Sequence, residues 1–87
     1  LKEGALDILR EEQAVLEALE PFTTESTDAA LHALAETTGR GMGELVHPLR
    51  VAVSGTGVGP GLFDMLAVMG KERVMRRIRR TLDAYGG

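Results

Sequence analysis

The chain has 87 residues, 44% of them hydrophobic but only 3% aromatic, no cysteine, and a formal net charge of −3. A chain of this length makes one small domain that buries about 60–65% of its unfolded surface, and with no thiol it has neither disulfide nor thiolate metal site to reinforce that core. Its longest apolar runs fall far short of the roughly 20 residues a membrane span needs, and no charged-then-apolar leader opens it.

Two histidines, His32 and His47, are too far apart for a zinc-like ligand set, so no metal site is expected. With no span and no leader, the expectation is a soluble, cytoplasmic protein without a membrane partner. The start at Leu1 rather than methionine points to an excised domain or a trimmed N-terminus. Charge is unevenly spread: residues 1–40 carry nine acids and three bases, residues 41–87 four acids and seven bases. Such segregation points to nucleic-acid contact by the basic half; the alternative is a pair of helices whose opposite charges face each other.

In chain order, Ala5, Ile8, Leu9, Val15, Leu16 and Leu19 recur at helical spacing, in a stripe broken only at Glu12, and predict a first helix over Leu1 to Leu19. Pro21 closes it, because a proline disfavours the helical state of the residue before it. Thr24 is the expected N-cap of a second helix over Glu25 to Thr38, with Glu25 and Asp28 at its positive end. That helix would bury Ala30, Leu31, Leu34 and Ala35 and end at Gly39. His32 reads as a half-exposed structural residue.

A third helix is predicted from Glu44 to Ser54, with Pro48 tolerable in its first turn or as a packed kink. Val51-Ala52-Val53 makes a strand the competing reading, disfavoured because no partner strand exists. Leu62 to Met69 forms a fourth short helix offering Phe63, Leu66, Ala67 and Met69 to the core. Gly70 separates it from a last helix over Lys71 to Tyr85, striped by Val74, Ile78, Leu82 and Tyr85. Arg73, Arg77 and Arg80 lie on one flank of that helix, Arg76 and Arg79 on another. The sum is an all-α fold, a small irregular bundle of about five helices, as a single domain over residues 1–87.

Between the third and fourth helices, four glycines fall in seven residues: Gly55, Gly57, Gly59 and Gly61. Glycine at every second position, with Pro60 among them, does not make a dinucleotide fingerprint, and Gly70-Lys71 lacks the other members of a phosphate-binding loop. Ser54 has no sequence-local base, and neither histidine belongs to a triad pattern; no catalytic residue is assigned. Contact with nucleic acid survives. Glycines let a backbone approach a ligand closely, Arg50 can stack on or fork onto an unstacked base, and Arg73, Arg76, Arg77 and Arg80 are candidate contacts to the phosphate backbone. With only Phe22, Phe63 and Tyr85 available, an aromatic stacking platform is excluded.

The run Gly43 to Gly55 with its Pro48-Leu49-Arg50, then Gly59-Pro60-Gly61-Leu62-Phe63-Asp64-Met65-Leu66, then Met69-Gly70-Lys71-Glu72-Arg73 and Arg77-Ile78, resembles the C-terminal anticodon-binding region of bacterial-type glutamyl-tRNA synthetase. Three linked motifs match in order and spacing over residues 39–82, while residues 1–38 fit the preceding helix pair only by pattern. The resemblance implies an α-helical domain whose residues 39–87 contact tRNA. It implies that Arg50 meets anticodon bases and that Gly59, Pro60 and Leu62 line the base pocket. Three departures accompany it. Ser54 stands where threonine is usual, His47 where glutamine is common and still able to donate or accept, and Gly59 where a small polar side chain would bond to a base.

The partners implied are the anticodon stem-loop of a tRNA and the remaining domains of the parent synthetase. No cofactor is implied for this segment; the parent would use ATP and magnesium in its catalytic domain, whose signatures are absent from these residues. A helical interaction or regulatory module derived from the synthetase, with no RNA binding of its own, is the alternative.

Overall fold

The computed structural model describes residues 4–55 and 61–86. Its elements are α1 (Ala5–Glu17), α2 (Thr24–Thr38), α3 (Met42–Ser54), α4 (Leu62–Met69) and α5 (Lys71–Gly86). Among the described residues there is no strand, so Val51-Ala52-Val53 is helical and the strand reading falls. The chain is an all-α bundle of five helices, as the periodicity predicts.

Helix α1 is the hub: it packs against α2, α3 and α5, while α4 bridges α2 and α5. Leu9 and Leu16 of α1 meet Leu31, Leu45, Leu49, Val53, Leu66, Val74 and Ile78 in a core where each is at most 1% exposed. Burying a side chain of this size stabilises by about 1.5–3 kcal/mol, so stripes from all five helices hold the bundle closed. Phe63, Met69 and Leu82 pack against the rim of that core. Tyr85, the last member of the expected α5 stripe, is instead 63% exposed, and Ala30 and Ala67 are only partly covered.

Three local expectations are corrected. The N-cap of α2 is Thr23, not Thr24. Thr23 Oγ1 accepts from the Ser26 amide at 3.0 Å and Ser26 Oγ accepts from the Thr23 amide at 2.8 Å, so serine completes a capping box where glutamate or glutamine is usual. Second, α3 begins at Met42 rather than Glu44, with Gly41 as its N-cap. Pro48 is therefore interior, and its ring nitrogen cannot donate to the Glu44 carbonyl. The buried ring compensates through packing, between Leu45 and Leu49 in the core stripe.

The third correction concerns Glu12. It does not interrupt the α1 stripe but lies within it, 0% exposed, and neither carboxyl oxygen has a hydrogen-bond partner among the described residues. Desolvation first, and the neighbouring Glu11 charge second, push its pKa up to about 9 against the opposing pull of Arg40. Glu12 is thus a neutral acid in the folded protein near neutral pH.

Candidate nucleic-acid interface

Helix α3 presents two unlike faces. Leu45, Pro48, Leu49 and Val53 point into the bundle, which leaves His47, Arg50 and Ser54, spaced by three and four residues, together on the opposite face. His47 is exposed and Arg50 half-buried. Ser54 Oγ donates to the Arg50 carbonyl at 2.6 Å, tightening the last turn. The helix stops at Gly55, whose φ of 77° lies in the left-handed region and lets its amide bond to the Val51 carbonyl at 2.8 Å.

The chain resumes at Gly61, the N-cap of α4, whose carbonyl accepts from the Met65 amide at 3.1 Å. Gly59 and Pro60, two of the residues assigned to a base pocket, lie outside the described residues. Leu62 is 3% exposed and belongs to the core beside Leu66. Phe63, next to it, is partly covered.

Sequence reading treats the arginines of α5 alike, and the structure divides them. Arg77 Nη1 donates to the Val53 carbonyl at 2.5 Å, across 24 residues of chain. Arg76 pairs with Glu72 one turn back at 3.5 Å, in a fully solvated setting. Arg73, Arg79 and Arg80 are exposed and make no side-chain hydrogen bond or ion pair among the described residues. Because Arg73, Arg77 and Arg80 share one flank of α5, the Arg77 bond turns that flank toward the end of α3 that carries Arg50. The structure therefore brings together the last turn of α3 and Arg77 on the Arg73–Arg80 flank.

His47 lies one turn before Arg50 on the same outward face of α3. It borders a cleft of about 650 Å³ bounded by Arg40, Glu44 and Pro48 on one side and by Ala5 and Ile8 of α1 on the other. Above the first turn of α3, Arg40 forms an ion pair with Glu11 of α1, both partly exposed. His32 lies on the outer face of α2 with Nδ1 2.8 Å from Asp28 Oδ1. Among the described residues no group of three or more His, Cys, Asp or Glu is placed to hold a metal ion, and no helix is long and apolar enough to cross a membrane.

One use of the basic residues has no local sequence signal. None of the first four helices carries a basic residue in its last turn, the place where a cation best complements the helix dipole and the unbonded carbonyls. Helix α5 supplies the cations from outside: Lys71 Nζ donates to the Glu17 carbonyl at the end of α1 at 2.9 Å, and Arg77 does so at the end of α3. Part of the charge segregation thus serves helix ends inside the fold rather than an acidic face or a ligand.

Comparison with known proteins agrees with this architecture. The pattern of the family described as anticodon binding domain matches residues 1–82. The glutamate–tRNA ligase of Chlorobium chlorochromatii is 53% identical over 68 residues, 78% of this chain and 14% of that protein. Glutamate–tRNA ligase 2 of Thermoanaerobacter pseudethanolicus is 43% identical over 82 residues, 94% of this chain and 17% of that protein. In solved structures, a glutamate tRNA ligase from Elizabethkingia meningosepticum superposes with a TM-score of 0.88 at 29% identity, over 94% of this chain and 16% of that one. The chain thus spans about one-sixth of the length of the relatives it matches. With the five-helix order, the three linked motifs and this match in hand, the chain belongs to the anticodon binding domain family.

Proposed function

We propose that this chain binds the anticodon stem-loop of a tRNA, as part of a cytoplasmic glutamate–tRNA ligase whose other domains perform the ATP- and magnesium-dependent charging. One observation carries the reading: in a chain of this family, Arg50 lies on the outward face of α3, whose last turn is bonded by Arg77 to the α5 flank that also carries Arg73 and Arg80, both exposed and unpaired among the described residues. A planar guanidinium shortly before a glycine-rich connection suits an unstacked base, and the exposed arginines of α5 suit the phosphates that flank it. Leu62, held in the core, acts as an apolar floor fixed in place rather than as a mobile contact.

The test is binding of a glutamate-tRNA anticodon stem-loop to wild type and Arg50→Ala at one salt concentration. Loss of a base contact costs about 1–3 kcal/mol, so the variant binds roughly 5- to 150-fold more weakly. Equal binding removes Arg50 from this role. Wild-type affinity that ignores anticodon sequence reduces the interface to general RNA contact, and absence of RNA binding leaves the domain as a protein-interaction module.

A further inference from the structure

The geometry points to Arg77 as a positioning residue for base recognition, acting through the end of α3, rather than as a ligand of the RNA backbone. Its guanidinium reaches from α5 to the Val53 carbonyl at 2.5 Å. That carbonyl is one of the last four of α3, which have no partner within their own helix. A cation there satisfies the acceptor and complements the negative end of the helix dipole. The turn so held is the one in which Ser54 Oγ bonds to the Arg50 carbonyl and Gly55 turns to positive φ. Arg77 therefore fixes the direction in which Arg50 leaves the helix and the point from which the glycine-rich connection departs.

Among the described residues, Arg77 is the cation that reaches this helix end from another helix. α3 has no basic residue in its own last turn, and the bond spans 24 residues, so it locks two helices together as well as one helix end. Lys71 does the same at the end of α1. The two cations thus share a structural device, and Arg77 applies it to the end of the helix carrying the candidate base-reading residue.

The inference rests on the anticodon reading for its effect on RNA, and two properties separate it from a phosphate contact. A side chain that neutralises a phosphate contributes about 0.7–0.9 to the slope of log affinity against log salt and weakens all sequences alike. A positioning residue leaves the slope alone and erodes sequence discrimination.

The experiment measures affinities of wild type, Arg77→Met and Arg77→Lys for the cognate anticodon stem-loop and for one with a permuted anticodon, over a salt series, with amide NMR spectra of each free protein. Arg77→Met is expected to keep the wild-type salt slope while its cognate-to-permuted ratio falls about tenfold, within the range of one lost base contact. The Val53, Ser54 and Gly55 amides should shift in the free protein. Arg77→Lys, whose ammonium can still donate to the carbonyl, should give an intermediate ratio and decides the matter if Arg77→Met does not fold. A slope lowered by about 0.7–0.9 with the ratio intact overturns the inference. So does an unchanged ratio in both variants. If wild type does not discriminate anticodons, the anticodon reading fails, and the amide shifts alone then decide whether Arg77 holds the end of α3.

Discussion

Replacing Glu12 by glutamine should make the domain more stable at neutral pH, by an amount that grows with pH. The native Glu12 carboxyl has a pKa near 9, raised by burial from 4.5. A folded-state value above the unfolded one means that the folded protein holds the proton longer. The associated stability is fully present below about pH 4.5 and is lost as pH rises toward 9. Each pH unit in that window removes about 1.4 kcal/mol, so wild type forfeits about 4 kcal/mol between about pH 5 and 8 relative to a variant that cannot ionise there. Domains of this size have total stabilities on the order of 4–13 kcal/mol, so the loss is a large share of the whole.

Urea denaturation of wild type and Glu12→Gln at several pH values reads the effect directly. The two curves should meet near pH 5 and separate by about 1.4 kcal/mol per unit above it. Glu12→Leu should lie above both at every pH, because it also removes the partnerless polar atoms from the core. Parallel pH profiles for wild type and Glu12→Gln would refute the reasoning, since they would mean that the folded protein hydrates or pairs the carboxylate.

Two further outcomes test local features of the bundle. Thr23→Ala removes the acceptor for the Ser26 amide and should cost about 1 kcal/mol, seen as a Tm lower by about 4–8 °C in a domain this small, while Thr24→Ala should change Tm far less. Gly55→Ala forces a side chain into φ 77° and should destabilise by about 1–2 kcal/mol. Gly41→Ala, at φ −76°, incurs no such strain in thermal melts.

Much of the fold is written in local spacing. The stripes of α1 and α5 and the glycines at positions 39, 55 and 70 are neighbour-to-neighbour signals, and the helices they predict are present. The misreadings occur where one residue's chemistry is overridden by distant packing. Pro48 is compatible with a first turn or with a packed place inside the helix, and only the core contacts decide for the interior, where its ring is buried in the stripe of α3. Glu12 looks like a gap in an apolar stripe, because nothing in its neighbours states that a carboxyl there will stay protonated. For the interface, Arg50 is identifiable only through the motif around it. That Arg77, exposed like its neighbours, also serves the end of α3 is invisible, because its partner is a backbone carbonyl 24 residues away and carbonyls have no residue-type signature.

The reach of α5 back to α1 also sets the order in which the bundle can form. α1 packs extensively against α5, and the two are separated by nearly the whole chain, so closing the core requires a loop of more than 50 residues to be ordered first. During synthesis, the first four helices leave the ribosome with the apolar flank of α1 uncovered and the Glu17 and Val53 carbonyls without their cations. Until α5 arrives, α1 lacks its most extensive packing partner, and its apolar stripe is exposed to whatever else binds such surfaces.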